Sequence, residues 1–394
     1  MATSKSDPSS RLSQFKESVK TLGNETAGFW LKYGIDREKG GFYGALRSDA
    51  SPVREAPKQL SQQARHLWFL SAYARLRQSS EAKKEAQKLF EFINTKFKLN
   101  NGEYALSIQA DGQKIVSSKR KLWLYMHSFL IFSYAEFYKL TQNDLALSEA
   151  LAVLKGLPHD SEHGGYDQSA EERWYAGVKE TNSHMHAMEA LMNLYEALPD
   201  VRSGDRNFVR GRLKELYEIF MKKITRDGFA YHDSFDKQWT PVGSGWVNFG
   251  HDFEIVHLLL KARKNLGVND SASLEHIKNL GRRAVKFGYD SANGGSFYKG
   301  ELDGRISDRS KIWWAQCEQL LAFYRLNELD PRLVSLDQIE RTFKWIRDQH
   351  LSKERKGAWF ATPGNQGSLE WNTHLSSEWF ASYHTMRALL EIAP

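Results

Sequence analysis

The sequence is poor in cysteine, and this shortage narrows what the protein can be. Cys317 is the only cysteine among 394 residues, which excludes an intrachain disulfide and fits a reducing compartment. The first ten residues also lack an apolar core of signal-peptide length. We therefore expect a protein that is not exported and that resides in the cytoplasm.

The sequence also lacks an uninterrupted membrane-spanning stretch. The aromatic-rich run from Leu122 to Tyr138 approaches the length of a short span. Four polar residues interrupt this run: His127, Ser128, Ser133 and Glu136. The run predicts a buried helix, and we expect no membrane partner.

A basic stripe of the kind that binds nucleic acid is missing as well. The net charge is +7, from 55 Lys and Arg against 48 Asp and Glu, and the two signs are mixed along the chain. The densest basic cluster, Lys119 to Lys121, is only three residues long. We therefore expect no nucleic-acid partner, and the 41% hydrophobic content indicates a globular protein.

What the chain does contain is a turn of glycine and aromatic residues that recurs six times, at intervals of about 61 to 67 residues. The six turns are Gly40–Gly44, Asn101–Tyr104, His163–Asp167, Asp227–Tyr231, Gly294–Tyr298 and Lys356–Phe360. Glycine permits positive φ there, and the aromatic residues pack behind it, so each turn predicts a short hairpin. Such regularity is typical of one structural unit that has been copied.

Two helical patterns alternate between these turns. One is amphipathic, as in Leu336, Ile339, Phe343 and Ile346, which step by three and four residues. The other is apolar on nearly every side and predicts enclosed helices. The enclosed segments are Leu67–Tyr73, Leu122–Phe137, Met185–Leu198, Val247–Leu260, Ile312–Tyr324 and Trp379–Leu390.

Six enclosed and six half-exposed helices predict an all-α (α/α)6 barrel, in which an inner ring of helices is surrounded by an outer ring. We expect one catalytic domain over residues 13–394, with short β-hairpin arms, after a flexible N-terminus at residues 1–12. The alternative is an open helical solenoid, but the terminal repeats show no polar caps.

The repeat also predicts where a site lies. Residues about 21 to 27 positions after each turn fall near the start of an inner helix, and equivalent positions in a ring converge. These residues are Arg65, Tyr125, His186, His251, Glu318 and His384. We therefore expect them to meet at one rim, where helix N-termini favour anionic oxygens.

The segment from Trp246 to Leu260 gives the clearest sign of a pocket. It is apolar all round, yet His251 and Glu254 lie three residues apart and share a face. Burial of such groups costs several kcal/mol, roughly, unless they have partners or face a wet cavity. The alternative is a core histidine that a neighbouring carboxylate satisfies.

Other inner helices add candidates. Asn182, His186 and Glu189 share a face, so that Glu189 is placed to fix the imidazole tautomer. His184 lies two residues from His186 and faces another way, so we expect no metal there.

Aromatic and cationic residues complete the predicted wall. Trp314 and Glu318, four residues apart, offer an aromatic platform and an acceptor. Trp379 and His384 both reach the cavity only if the helix begins between them. Arg65 lies in an apolar setting and faces either an anionic oxygen or a structural salt-bridge partner.

Two histidines on opposite sides of a carbon suit removal of a proton from one face and its return to the other, because imidazole titrates near neutrality. An arginine beside the developing oxyanion supplies electrostatic stabilisation, and aromatic walls hold a sugar ring. These residues therefore predict an epimerase or isomerase that acts on a small sugar.

The chain resembles the N-acylglucosamine 2-epimerase superfamily, and within it the cellobiose 2-epimerase branch. Five motifs in order carry the resemblance: Gln63–Trp68, Asn182–Ala190, Gly250–Glu254, Trp313–Glu318 and Trp379–Arg387. The resemblance implies an (α/α)6 barrel that interconverts glucose- and mannose-configured sugars through a cis-enediol, with no metal or other cofactor. The sugar is either free or the reducing end of a β-1,4 disaccharide such as cellobiose.

The resemblance also implies roles for particular residues. His251 and His384 correspond to the acid/base pair at C2, Arg65 to the enediolate-stabilising arginine, and His186 to the histidine that assists ring opening. Glu254 corresponds to the carboxylate that orients His251. The positions that contact sugar are Tyr125, Asn182, Glu189, Trp314, Glu318 and Trp379.

Three other functions stay open from the sequence. An aldose–ketose isomerase on the same scaffold returns the proton at C1 and makes fructose from mannose. A glycan hydrolase or lyase needs paired carboxylates, for which Glu254 and Glu318 are the candidate pair. The third is a sugar-binding or scaffolding protein that catalyses no reaction. We expect the chain to be either a monomer or a homodimer.

Overall fold

The computed structural model describes residues 7–115, 123–168, 178–226, 230–243, 245–363 and 374–394. These residues form twelve α-helices, α1 to α12 in chain order. The inner helices are α2 (Leu60–Arg77), α4 (Trp123–Thr141), α6 (Thr181–Ala197), α8 (Phe249–Leu266), α10 (Trp313–Leu329) and α12 (Tyr383–Ile392). The outer helices are α1 (Pro8–Phe29), α3 (Ser80–Lys96), α5 (Asp144–Gly156), α7 (Ser203–Ile219), α9 (Ser271–Gly288) and α11 (Leu336–Gln349).

The inner helices close into a ring. Each packs against the next inner helix, and α12 returns to α2. This closure excludes the open solenoid and confirms the (α/α)6 barrel that the sequence predicts.

The two sequence patterns separate the two rings as expected. Every residue of α4 from Leu124 to Tyr138 is buried, because this helix has neighbours on all sides. By contrast, α11 buries four residues, Ile339, Thr342, Phe343 and Ile346, and leaves its other side toward water. Ser335 caps α11 in a reciprocal pair of bonds with Gln338, which fixes where the helix begins.

Thirteen strands of two or three residues lie between the described helices. They are β1 (Leu46–Arg47), β2 (Lys58–Gln59), β3 (Ser107–Ile108), β4 (Lys114–Ile115), β5 (Lys179–Glu180), β6 (Thr225–Arg226), β7 (Ala230–Tyr231), β8 (Ser234–Phe235), β9 (Pro241–Val242), β10 (Trp246–Asn248), β11 (Lys299–Glu301), β12 (Ile306–Asp308) and β13 (His374–Ser376). Three antiparallel sheets, β2-β3-β4, β5-β8-β9 and β10-β11-β12, lead directly into α2, α6 and α8. These arms place the first turns of the inner helices at one rim.

Within the described residues, three of the turns share one kind of ion pair, between a lysine and an aspartate. In the first, Lys58 Nζ binds Asp36 Oδ2 at 2.8 Å and Gly40 O at 2.5 Å. The equivalents are Lys179 with Asp160 and Lys311 with Asp290, each at 2.8 Å. Gly41 has φ +69°, and a Cβ there would lie 2.5 Å from the Phe92 ring, so glycine is required.

The N-terminal boundary differs from the sequence expectation. Helix α1 begins at Pro8, because proline favours the first turn of a helix. Residues 8–12, which the sequence assigned to a flexible start, are therefore helical. The assignment of residues 13–394 to one catalytic domain stays a prediction. No helix within the described ranges combines the length and apolar character needed to cross a bilayer.

Candidate active site

A cavity of about 820 Å³ opens at the rim where the inner helices begin. All six inner helices contribute side chains to it: Arg65, Tyr125, Asn182, His186, His251, Glu254, Trp314 and His384 are among them. Five of the six repeat-equivalent residues therefore meet in one place, as the repeat predicts. The sixth, Glu318, lies behind the wall.

His251 lies in the first turn of α8, which Asn248 caps by accepting a hydrogen bond from the Gly250 amide at 2.9 Å. Its Nδ1 lies 3.3 Å from the Tyr231 hydroxyl. That hydroxyl accepts the Asn248 amide at 2.7 Å and donates to Asn248 O at 3.1 Å, and we assign Nδ1–H of His251 as the second donor to its oxygen. The tautomer therefore leaves Nε2 as the basic atom in the cavity.

Burial lowers the pKa of His251 to about 3, and the neighbouring His186 and His384 act in the same direction. Its imidazole is therefore neutral at pH 7. A neutral imidazole with Nε2 toward the cavity is a base that can accept a proton from a bound molecule.

His384 has a carboxylate behind it instead. Its Nδ1 donates to Glu318 Oε1 at 2.6 Å. Burial lowers the pKa of His384 to about 4, while the hydrogen bond to Glu318 acts to raise it. The other Glu318 oxygen accepts from His257 Nε2 at 2.7 Å. His257 does not line the cavity.

The rings of His251 and His384 flank one indole. The Trp314 ring centroid lies 5.0 Å from that of His251 and 5.5 Å from that of His384. Both imidazoles line the same cavity, and their Nδ1 atoms are bound away from it. With both Nδ1 atoms bound to the protein, the two Nε2 atoms are the ring nitrogens left for the one cavity that both imidazoles line.

Arg387 is the centre of a buried charge cluster beneath the cavity. Its guanidinium contacts three carboxylates, Glu189 and Glu254 at 2.6 Å and Glu318 at 2.5 Å. Tyr383 OH also donates to Glu189 Oε2. Although burial acts to raise the pKa of Glu189 and Glu318, the charge of Arg387 holds both well below the ordinary value.

His186 is the third imidazole in the cavity. Its Nδ1 lies 3.3 Å from Glu189 Oε2, which is the contact expected from their spacing on α6. Burial is the main cause that lowers the pKa of His186. The ring lies against Tyr125 and Phe129, with centroids at 5.3 and 4.6 Å, so its orientation is fixed.

Arg65 supplies a buried cation with two donors beside the cavity that are unpaired within the described residues. Its Nη2 donates to Tyr125 OH, while its Nε and Nη1 have no partner among the described residues. The guanidinium lies over the Phe129 ring at 4.1 Å and is buried. A buried guanidinium with two unused donors suits an anionic oxygen.

Aromatic rings line the outer part of the cavity. Trp246, Tyr298, Trp314 and Trp379 all belong to the wall. Trp379 is 41% exposed and precedes α12, which begins at Tyr383, so it and His384 both reach the cavity. Trp313 lies in the wall and packs on Phe380, with centroids 4.3 Å apart.

Three carboxylates make contacts in the structure that differ from those the sequence predicts. Glu254 was expected to orient His251, but its Oε1 binds Arg387 and its Oε2 has no partner among the described residues. Glu189 and Glu318 were expected to contact sugar, but both lie outside the cavity wall and hold imidazoles and Arg387. Glu254 and Glu318 share one guanidinium, so they do not face each other across a cleft as a hydrolase requires.

One group of donors within the described residues is compact enough for a metal ion. Ligand atoms of Glu254, Glu318 and His384 lie within 4.8 Å of one another. The carboxylates already bind Arg387, and Glu318 also binds His384. A guanidinium therefore occupies the place that a cation would take, and we assign no metal to this group.

Several residues of the site were missed from the sequence. Tyr231 belongs to the fourth turn, and Arg387 and Tyr383 belong to the last motif. The sequence of the turn and of the motif does not indicate which histidine or carboxylate each of these residues contacts. Asp233, Glu180, Asn248 and His374 come from strands or residues beside them. Only the pairing of the arms brings these to the rim.

Comparison with known proteins agrees with this geometry. The model of the family described as N-acylglucosamine 2-epimerase (GlcNAc 2-epimerase) matches residues 41–388. A cellobiose 2-epimerase from Bacteroides fragilis is 26% identical to this chain, and the match covers 96% of this chain and 98% of that enzyme. A D-mannose isomerase from Marinomonas mediterranea is 23% identical, covering 93% and 94%. The solved structure of a cellobiose 2-epimerase from Spirochaeta thermophila has a TM-score of 0.85 at 25% identity, covering 99% and 98%.

Proposed function

Because this chain belongs to the N-acylglucosamine 2-epimerase family, we propose that it is an aldose 2-epimerase that interconverts glucose- and mannose-configured sugars. Its relatives are epimerases and isomerases of carbohydrates. The observation that carries the proposal is the presentation of two Nε2 atoms, from His251 and His384, to one cavity. The substrate is a free aldose or the reducing end of a disaccharide.

The reaction begins with the open-chain sugar between the two imidazoles. One Nε2 takes the proton from C2, and the electron pair of that C–H bond moves toward the C1 carbonyl oxygen. The unused donors of Arg65 stabilise the negative charge that develops on this oxygen. The product of this step is a cis-enediolate, the ionised form of the cis-enediol.

Rotation about the C2–C3 bond then presents the other face of C2. The second imidazole takes up a proton from solvent as negative charge develops on the enediolate beside it, and it returns this proton to that face to give the epimer. The first imidazole then releases to solvent the proton that it took from C2. Glu318 lies behind His384 and balances the positive charge when that ring carries the proton. His186 is placed to assist opening of the pyranose ring, since its Nδ1 is bound to Glu189 and its Nε2 remains for the sugar.

The second candidate is an aldose–ketose isomerase, and a specific observation favours it. The D-mannose isomerase relative spans nearly the whole chain at an identity close to that of the cellobiose 2-epimerase relative. The two reactions share the first proton transfer. They differ in whether the proton returns to C2 or to C1.

A product screen tests the proposal. Purified protein is incubated with D-glucose, D-mannose and cellobiose, and the products are separated by sugar chromatography. An epimerase makes mannose from glucose, or the mannose-ended disaccharide from cellobiose. Fructose as the main product from mannose would favour the isomerase, and no conversion of any aldose would remove both.

A further inference from the structure

The buried cluster beneath the cavity holds more acidic groups than its cation can balance. Glu189, Glu254 and Glu318 are each at most 3% exposed, and all three contact Arg387. With every carboxyl ionised, three negative charges would face one guanidinium in a region without bulk water. Like charges at such distances cannot all ionise, so one carboxyl keeps its proton.

The contacts identify which carboxyl keeps it. Glu189 accepts hydrogen bonds from Tyr383 and His186, and Glu318 accepts from His257 and His384. Glu254 accepts no hydrogen bond from a tyrosine or a histidine, because Arg387 Nη2 is its one described partner. It also shares that nitrogen with Glu318 Oε2.

The groups around Glu254 come from the other five inner helices. They are Arg65, Tyr125, Glu189, Glu318 and His384, together with Arg387. The two neighbouring carboxylates outweigh the single guanidinium that they share. Burial, followed by the charge of Glu318, raises the pKa of Glu254 well above its ordinary value.

The position of the proton follows from the same contacts. Oε1 accepts from Arg387, so the hydrogen resides on Oε2. Oε2 is buried, has no partner among the described residues, and belongs to a side chain in the cavity wall. A ligand atom of Glu254 lies within 4.8 Å of one of His384.

We propose that Glu254 is an uncharged carboxylic acid in the resting enzyme, and that its Oε2–H donates a hydrogen bond to a substrate oxygen on the reacting carbons. The role rests on the proposed epimerase or isomerase function. Glu254 would then act with Arg65 on the oxygens that gain charge in the enediolate. A neutral donor suits this task, because a carboxylate would repel that charge.

Two substitutions separate a neutral donor from an ionised carboxylate. Glu254→Gln keeps the shape, an acceptor for Arg387 and an N–H donor for the sugar, so kcat should fall by only about fivefold. Glu254→Leu removes the donor, and kcat should fall by about a hundredfold with a smaller change in KM. A loss in Glu254→Gln that equals the loss in Glu254→Leu would overturn the proposal.

Glu318→Gln is the matched control. The same change there replaces an ionised carboxylate that binds two imidazoles and Arg387, so its loss of kcat should far exceed that of Glu254→Gln. A loss in Glu254→Gln as large as the one expected for Glu318→Gln would mean that Glu254 is also ionised, which contradicts the proposal.

An infrared difference spectrum decides the protonation state without any turnover. The spectrum of wild type minus Glu254→Gln at neutral pH should show the carbonyl stretch of a protonated carboxylic acid. A carboxylate pair of bands in its place would overturn the proposal. If wild-type protein converts no aldose, the proposed function fails, while this spectrum still reports whether Glu254 holds a proton.

Discussion

At the scale of single residues, what lies behind each imidazole determines what the imidazole can do. His251 has a phenol behind it, whereas His384 has the carboxylate of Glu318. Both partners fix a tautomer, but a carboxylate also stabilises an imidazolium by its negative charge, as a neutral phenol does not. The two histidines are therefore unequal, and His384 is the better carrier of a positive charge.

Replacement of Glu318 by Gln tests this inequality. The neutral amide no longer balances the His384 imidazolium, so kcat should fall by about a thousandfold while KM changes little. Trp379→Ala gives the contrast, because loss of a half-exposed wall residue should raise KM more than it lowers kcat. Steady-state kinetics with the preferred aldose measure both. A raised KM with unchanged kcat in Glu318→Gln would make Glu318 a sugar contact.

The pH dependence of proton exchange tests the state of His251. In a His384→Asn variant, exchange at C2 depends on His251 alone. Burial lowers the pKa of this base from 6.5 to about 3, so acid converts it to the inactive form only at low pH. Exchange should stay level from about pH 7 to about pH 5 and then decline. A midpoint near 6.5 would show that the ring is solvated.

At the scale of elements, the repeat uses one device to join each odd-numbered turn to the inner helix that follows. A lysine just before that helix binds the aspartate that opens the turn. Gln63 and Gln316 add bonds to the turn backbone, and His184 does so in the third copy. This is why His184, a possible metal ligand by its position in the sequence, is a structural residue.

Lys58→Met should therefore destabilise the fold. Lys58 and Asp36 are almost fully buried, and loss of the lysine leaves a buried carboxylate without its cation, at a cost of about 3–5 kcal/mol. Arg54→Met is the control, since Arg54 and Glu38 are 65% and 66% exposed and water screens that pair, so the free energy of unfolding should barely change. Urea denaturation measures both free energies of unfolding. Equal small effects would mean that the turns do not depend on this ion pair.

The elements also show which features the sequence could predict. Helix positions follow from apolar periodicity, which is local, so the predicted enclosed segments fall on the six inner helices. The last segment, Trp379–Leu390, began four residues before α12, which starts at Tyr383. Charge pairing is not local. Glu254 and Arg387 are 133 residues apart, and no spacing rule links them, so Glu254 was assigned to His251 on the same helix.

At the scale of the whole molecule, ring closure turns a sequence repeat into a site. Positions that recur once per repeat come to one rim because α12 packs on α2. This symmetry made the cavity predictable from the sequence alone. It placed Glu318 with the others, but the side chain turns behind the wall, where three donors hold it. The repeat symmetry therefore determines which residues come to the rim. The hydrogen-bond and ion-pair partners of each residue depend on how the side chains pack.

The measurement that tests the central claim most directly is exchange of the C2 proton in heavy water by single-histidine variants. If His251 and His384 act on opposite faces of C2, neither variant should epimerise. His251→Asn should still place deuterium at C2 of one epimer, and His384→Asn at C2 of the other, as read by NMR. Exchange of the same epimer by both variants, or full epimerisation by either, would contradict a site with two bases.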